Sequence, residues 1–241
     1  MLISMRGVLR SLLLLVLSCA PQPIPGVVRP APGAPPLESL PGPLAGFGPF
    51  DSASDALIAA CPLILSKPHA TVSHIPDREL ALRLSSEYCA WLYYTPADKY
   101  ELSMLTNQSD ADDLVTNKRS CKLPSFVDDP RYVPGSLKYI FALHNHPFGS
   151  PLSLRDMHKI ISLANTHEWV VNTREGRMPI AIIAFYSKAT DPSHPTCDGF
   201  YQYTPETREL SQWIQTEGAW RPRKIGTVTW LDETHYRLDA E

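Results

Sequence analysis

The stretch that decides the fold of this 241-residue chain reads His144-Asn-His-Pro-Phe-Gly-Ser-Pro-Leu-Ser-Leu-Arg-Asp156. It follows an apolar run at 137–143, which predicts a buried strand that continues to His144. Side chains alternate between the two faces of a strand, so His144 and His146 project to the same face. Two imidazoles placed side by side at the end of a strand can bind one cation together.

A helix is predicted to begin shortly after these histidines. Proline and glycine turn the chain, Ser153 has the position of an N-cap, and the helix runs to about Trp169. Asp156 then takes the third helical position and can return to the histidines. Two histidines and a carboxylate leave a fourth position for water, which is typical of catalytic zinc sites. The alternatives are a capping pair with no catalytic role and histidines that are simply hydrogen-bonded in the core.

Helices and strands alternate along the rest of the chain. The predicted elements are a helix at 51–61, a hairpin at 87–94 and 99–105, strands at 179–186 and 199–203, a helix at 206–217 and a last strand at 224–231. Residues 77–86 fit either a helix or a strand, and 107–136 fit a long polar loop. This mixture predicts an α+β (α/β-like) protein with a mixed sheet flanked by helices.

The pattern His-x-His-Pro, a short loop and Ser-x-x-Asp resembles the JAMM motif of the MPN/JAB-domain metalloproteases. That family also has a glutamate at the start of a strand, which Glu87-Tyr-Cys-Ala-Trp-Leu92 matches. This segment and its hairpin particularly resemble the JAB-like domains of bacterial polymorphic toxins. The resemblance covers about residues 75–190. The chain differs from the protease branch in a loop before Ser153 that is one residue shorter, and in Ala90, where the family has glycine.

The resemblance implies an MPN/JAB-like core, related to the cytidine-deaminase fold, and a role for each matching residue. His144, His146 and Asp156 are expected to hold Zn²⁺, which lowers the pKa of bound water toward ~7. Glu87 is expected to take a proton from that water and pass it to the leaving amine. Ser153 is expected to donate a hydrogen bond to the oxyanion. The implied reaction is hydrolysis of a peptide or isopeptide bond in a protein or peptide substrate.

The N-terminus has the features of an export signal. Basic residues precede an apolar run at 11–17, which is shorter than the ~20 residues that a membrane-spanning helix needs. The segment ending in Leu-Ser-Cys19 resembles a bacterial lipobox. Residues 1–19 are therefore predicted to be a lipoprotein signal peptide with Cys19 lipidated, and ordinary cleavage near Ala20 is the alternative. The expected location is an exported lipoprotein anchored in the outer membrane.

Residues 20–50 are rich in proline and glycine. Such a sequence offers few side chains to bury and few backbone donors. It predicts a polyproline-like linker that holds a domain away from the membrane. The domain at 51–241 is expected to combine the JAB/MPN-like part with a C-terminal extension.

Four cysteines remain after Cys19, at positions 61, 89, 121 and 197. In an exported protein they allow two disulfides, with three connectivities. Cys121 and Cys197 both lie in polar loops, which favours a bond between them. Cys89 lies in a strand-like segment and also fits a buried thiol.

Composition limits the classes of function. Hydrophobic residues make up 44% of the chain and charged residues 20%, which excludes wholesale disorder. The net charge of -3 and the pI of 6.2 argue against a nucleic-acid partner. The expected partners are a polypeptide substrate, a membrane through the lipid anchor and, for a toxin, a cognate immunity protein. The alternative to a hydrolase is a non-catalytic MPN-fold binding or sensor module of the envelope.

Overall fold

The computed structural model describes residues 22–240 except for 32, 111, 112, 114, 115, 117, 192 and 218. The predicted signal peptide and Cys19 lie outside the described residues. Within them, the helices are α1 (Ala53–Leu65), α2 (Arg78–Leu84) and α3 (Leu154–Thr166). The strands are β1 (Val27–Val28), β2 (Ser39–Pro41), β3 (Cys89–Tyr94), β4 (Tyr100–Leu102), β5 (Leu105–Thr106), β6 (Phe126–Asp128), β7 (Lys138–Asn145), β8 (Val170–Thr173), β9 (Gly176–Pro179), β10 (Ala181–Tyr186), β11 (Gly199–Thr204), β12 (Glu209–Thr216), β13 (Ala219–Trp230) and β14 (Tyr236–Asp239).

Ten strands form one mixed sheet in the order β1-β5-β3-β7-β10-β11-β12-β13-β14, with β4 paired to β3. β7 runs antiparallel to β3 and parallel to β10. From β10 to β14, each strand pairs antiparallel with the next one. β7 and β10 are buried along almost their whole length, as expected for central strands covered on both faces. The predicted α+β class with a mixed sheet is confirmed.

One helix covers each face of the centre of this sheet. The core on the α1 face includes the alternate strand residues Ala90, Leu92, Leu143 and Ile183. The core on the α3 face includes Trp91, Ala142, Ile182 and Ala184. α3 buries one stripe at helical spacing, formed by Met157, Ile160, Leu163 and Ala164. His144 lies two residues after Ala142 in β7 and therefore faces α3.

Several predicted elements are observed with changed boundaries. The helix predicted at 51–61 extends past Pro62 as α1. The segment at 77–86 contains α2, because the Asp77 side chain caps the first turn by accepting from two backbone N–H groups. The loop at 107–136 contains only the short strand β6 among its described residues. None of the helices in the described part of the chain has the length and apolar character needed to cross a membrane.

The helix predicted at 206–217 is wrong, because this segment contains β12. β12 pairs with β11 from Thr204↔Glu209 to Phe200↔Trp213. Arg208 adopts a positive φ of 60° in the tight connection between these strands. Pairing on both sides, with β11 and β13, outweighs the weak helical pattern of the polar residues.

The predicted linker at 20–50 is wrong where its described residues form strands or enter the core. β1 pairs in parallel with β5, and β2 pairs in parallel with β6. The side chains of Leu40, Leu44 and Phe47 are buried in the domain. The apolar residues of this segment stand singly between prolines, so their burial follows no periodic pattern in the sequence. Extended proline-rich backbone also needs few internal hydrogen bonds. For these two reasons the composition predicts a linker.

Candidate metal centre

The end of β7 positions the two histidines. His144 lies opposite Cys89 on β3 and Ala184 on β10. The backbone N–H of His146 extends this pairing by donating to the Phe185 carbonyl at 2.9 Å. Both histidines are buried, with 3% and 6% of their surface exposed. They share one face as predicted, and their Nε2 atoms lie 2.9 Å apart.

A tight turn follows the histidines and fixes one of the rings. Gly149 adopts a φ of 68°, a left-handed conformation that glycine tolerates without steric cost. Its N–H donates to the His146 carbonyl at 3.0 Å. The Ser150 carbonyl lies 2.7 Å from Nδ1 of His146. This contact favours a proton on Nδ1, so that Nε2 of His146 offers its lone pair to the cluster.

α3 begins beside the histidines with a capping box. The Ser153 hydroxyl accepts from the Asp156 N–H at 3.2 Å, and Oδ2 of Asp156 accepts from both the N–H and the hydroxyl of Ser153 at 2.7 Å. The cap and the predicted ligand are therefore compatible, because the cap holds Asp156 by one oxygen and leaves Oδ1 toward His144. In this geometry Asp156 uses the hydroxyl proton of Ser153, so the oxyanion role of Ser153 stays a prediction.

The three predicted metal ligands come together in space. Nε2 of His144 lies 3.7 Å from Oδ1 of Asp156, and Nε2 of His146 lies 3.4 Å from Oδ2. The candidate ligand atoms all lie within 4.8 Å of one another. Ligand atoms that share a tetrahedral zinc ion lie ~3.3 Å apart, since each is ~2.0–2.1 Å from the metal. These three residues could therefore hold a metal ion, and two imidazoles with a carboxylate are a donor set that zinc accepts.

The electrostatics of the cluster also favour a cation. Burial lowers the pKa of His144 to about 4, and its ring is hydrogen-bonded to the backbone of Ile183, which leaves Nε2 as an acceptor facing His146. Burial acts to lower the pKa of His146, but the hydrogen bond and the charge of Asp156 outweigh it and raise that pKa. The lone pairs of two ring nitrogens at this distance repel each other unless a proton or a cation lies between them. Burial acts to raise the pKa of Asp156, but the two histidines and the Ser153 hydroxyl outweigh it and lower that pKa. The carboxylate is therefore ionised at neutral pH.

Glu87 lies just before β3 and lines both clefts that meet at the cluster. Burial raises the pKa of its carboxyl to about 8, and the neighbouring His146 opposes this shift. A carboxyl with a raised pKa beside candidate metal ligands has the basicity that a general base needs near neutral pH. The structure thus brings the predicted glutamate next to the predicted ligands.

Asn145 is a residue of this site that the sequence analysis did not single out. It is fully buried between the two histidines in sequence and faces the other side of β7. Its Oδ1 accepts from the Tyr88 N–H at 2.7 Å, and its Nδ2 donates to the carbonyls of Ala70 at 2.7 Å and Ser86 at 3.1 Å. Asn145 therefore ties the segment that carries Glu87 to β7.

Two clefts meet at the cluster. The smaller cleft, of about 520 Å³, is bordered by residues 36–38, by 120–125 and by β7. The larger cleft, of about 1130 Å³, is bordered by α2, by 118–120, by the turn at 146–151 and by the start of α3. Both clefts are lined by Glu87, Ser120, Arg155 and Asp156. An extended chain can therefore pass the cluster with contacts on both sides.

The loop between β5 and β6 contributes to the walls of both clefts. Its Cys121 is bonded to Cys89, which lies opposite His144 on the neighbouring strand. The carboxylate of its Asp113 accepts from Nη1 of Arg155 at 3.0 Å, and Arg155 directly precedes the candidate ligand Asp156 in α3. A disulfide and an ion pair thus fasten this loop on two sides of the candidate metal centre.

The disulfides correct the pairing predicted from the sequence. Cys61 is bonded to Cys197 and Cys89 to Cys121, each pair with its Cα atoms 5.9 Å apart. The predicted bond between Cys121 and Cys197 is therefore wrong. Cys197 packs against the core on the α1 face and Cys121 against the core on the α3 face, so the sheet separates them. Polar loop sequence indicates exposure but not the face of the sheet.

Comparisons of the chain with protein-family models, with curated proteins and with solved structures found no match. The geometry of the site alone therefore indicates what this protein does. Its main elements are the convergent ligand atoms of His144, His146 and Asp156, the carboxyl of Glu87 and the two clefts.

Proposed function

We propose that this protein is a zinc-dependent hydrolase of the JAMM type, with an MPN/JAB-like core, that cleaves a peptide or isopeptide bond. The observation that carries the proposal is the convergence of His144, His146 and Asp156, whose candidate ligand atoms lie within 4.8 Å of one another. Such a set of two imidazoles and a carboxylate is typical of catalytic zinc sites, and a carboxyl suited to proton transfer lies beside it.

The chain's own residues supply the binding and proton-transfer groups. His144, His146 and Asp156 would hold the ion, and Ser153 and the Ser150 carbonyl orient two of these ligands. When bound, zinc acts as a Lewis acid that makes water acidic enough to ionise near neutral pH. These five groups are fixed by one strand end, one turn and one helix start, which makes the arrangement preorganised.

Glu87 is assigned the role of general base and general acid. Burial raises the pKa of its carboxyl, so the carboxylate form binds a proton more readily than an exposed glutamate does. It would accept a proton from the attacking water and then donate that proton to the leaving amine. Ser153 contributes by holding Asp156, and its predicted oxyanion role requires its hydroxyl to turn from that carboxylate.

A polypeptide substrate outside the cytoplasm suits the surroundings of the site. The two clefts provide contacts on both sides of the scissile bond. The two disulfides support export, because such bonds form and persist in oxidising compartments. Together with the lipobox-like Cys19, they favour an envelope lipoprotein that acts on an envelope polypeptide or, as a toxin, on a target in another cell.

Glu87→Gln tests the proposed chemistry. The substitution keeps the volume of the side chain and removes the proton acceptor, so zinc content should stay unchanged while hydrolysis falls by ~10²-fold or more. The assay compares peptides released from a bacterial envelope digest by wild type and variant. Glu79→Gln is the matched control, since Glu79 borders the larger cleft but lies outside the cluster; it should retain activity.

Two outcomes would count against this proposal in different ways. Full activity in Glu87→Gln, combined with loss of activity in His144→Ala, would assign the base to another residue. A wild-type protein that binds zinc and releases no peptide above the His144→Ala background would support the non-catalytic binding module instead.

A further inference from the structure

The larger cleft carries three cationic side chains that the proposed chemistry does not use. Arg78 begins α2, and Lys118 and Arg119 lie on the loop between β5 and β6. Arg119 is held in place, because its Nε donates to the Ser85 carbonyl at 3.1 Å and its Nη1 to the Lys118 carbonyl at 2.8 Å. A guanidinium has five N–H donors, so others are left to bind a ligand in the cleft.

The carboxylates that line this cleft are already engaged. Glu79 pairs with Arg83 at 2.6 Å, and Glu87 and Asp156 belong to the candidate metal centre. The remaining arginine of the cleft, Arg155, pairs with Asp113 at 3.0 Å. Among the described residues, no carboxylate lies within ion-pair distance of the three cations named above. The described part of the larger cleft therefore offers three cations without an ion-pair partner.

The smaller cleft differs in charge. Lys122 pairs with Asp110 at 2.9 Å, Arg155 pairs with Asp113 as described above, and Lys159 shares this cleft with Glu38. Its charged groups thus balance one another. The two sides of the candidate metal centre therefore present different electrostatic environments to a bound chain.

An apolar surface accompanies the cations. Phe148, on the turn after the histidines, is 45% exposed and lines the larger cleft together with Leu82 and Leu154. An exposed aromatic side chain in a cleft favours contact with an apolar group of a ligand. The cleft thus combines one apolar surface with three cations.

We propose that the larger cleft binds acidic side chains of the polypeptide substrate, on one side only of the bond that is cut. The preferred segment has aspartate or glutamate residues next to an apolar residue, which matches Arg78, Lys118 and Arg119 beside Phe148 by charge complementarity. This inference rests on the proposed function, because it takes the bound polypeptide to be the substrate of the hydrolase. Binding of a peptide to the cleft is nevertheless measurable without turnover.

Peptide binding to zinc-loaded Glu87→Gln protein, followed by fluorescence anisotropy, tests the inference. The peptides are acetylated and amidated so that terminal charges play no role, and they carry glutamate, glutamine or lysine around one apolar residue. We expect the glutamate peptide to bind roughly tenfold more tightly than the glutamine peptide, with exposed ion pairs as the source of the difference. This difference should shrink as salt is raised, because exposed charges are screened.

Matched triple variants assign the binding to the cleft. Replacing Arg78, Lys118 and Arg119 by glutamine should abolish the preference for glutamate. The control replaces three exposed arginines that line neither cleft by glutamine, at positions Arg177, Arg208 and Arg221. It changes the net charge by the same amount and should keep the preference for glutamate. The single variant Lys118→Gln, at an exposed position, should reduce the preference even if the triple variant does not fold.

Equal affinity for the glutamate and glutamine peptides would overturn the inference. So would tighter binding of a single-stranded oligonucleotide, or a preference that survives in the cleft variants. Peptide release by wild-type protein is the separate readout. A glutamate preference without any turnover contradicts the hydrolase and leaves this binding site standing, whereas turnover without the preference does the reverse.

Discussion

At the scale of single residues, the alternation of side chains along a strand predicts which face a residue occupies but not which distant residues it contacts. The i, i+2 spacing of His144 and His146 is enough to place both rings on one face, and the Ser-x-x-Asp capping pattern is enough to place Asp156 in the first turn of α3. Asn145 lies between the histidines and obeys the same rule, but its partners lie 57 to 75 residues away in the chain. Long-range partners of a buried amide cannot be read from local spacing.

Asn145→Ala should lower turnover without emptying the metal site. The change leaves the Tyr88 N–H and two carbonyls without their buried partner, so we expect a loss of about 1–3 kcal/mol in the free energy of unfolding. Because these bonds hold the segment that carries Glu87, kcat should fall about tenfold or more while zinc content and KM change little. Steady-state kinetics and metal analysis of the variant measure both effects.

Ser103→Ala provides the control for a purely structural effect. The buried Ser103 hydroxyl accepts from the Trp91 N–H at 2.9 Å, and this residue lines neither cleft. The control should lose similar stability and keep its kcat. If both variants lose kcat to the same extent, Asn145 acts through stability alone and does not position Glu87.

At the scale of elements, the chain is predictable where a pattern is local and strong. The buried strand β7, the amphipathic helix α3 and the hairpin that begins with β3 follow from periodicity and caps. The polar loop at 107–136 is also predicted, but its attachment to β3 through Cys89 and Cys121 is not. Disulfide partners are decided by which face of the sheet each cysteine reaches, and that face exists only after folding.

The two disulfides should separate stability from function. The double variant Cys61→Ala with Cys197→Ser removes a bond between residues 136 positions apart in the sequence. The double variant Cys89→Ala with Cys121→Ser removes a bond between residues 32 positions apart. Loop-closure entropy predicts losses of about 5 and about 4 kcal/mol in the free energy of unfolding. Activity and peptide affinity should follow the opposite order, because only the second bond fastens the cleft wall beside His144.

Denaturant unfolding and peptide hydrolysis at a temperature where both variants are folded make this comparison. Greater loss of hydrolysis in the variant without the Cys61–Cys197 bond would contradict the assignment of the loop as a cleft wall. Equal losses would mean that neither bond shapes the site.

At the scale of the whole molecule, the structure joins parts that the sequence separates. The proline-rich residues before α1 supply two strands, buried apolar side chains and the border of the smaller cleft at 36–38. Strands of two or three residues are too short to show a periodic pattern in the sequence. Composition therefore predicts a linker for a segment that lines the smaller cleft in the structure. The α+β class follows from the sequence because it depends on the alternation of many elements, whereas a domain boundary depends on a few buried residues such as Leu40 and Phe47.

Whether His144, His146 and Asp156 hold a metal ion is decided by the metal content of the protein per chain. The measurement is mass spectrometry of zinc in protein purified without the predicted signal peptide and dialysed against zinc-containing and then metal-free buffer. We expect one zinc ion per chain in wild type, and none in His144→Ala or Asp156→Ala, since two remaining ligands hold zinc too weakly. His158→Ala, a histidine of the same helix that packs on Trp230, should keep its zinc. Metal-free wild-type protein, or stoichiometric zinc in both ligand variants, would contradict the account.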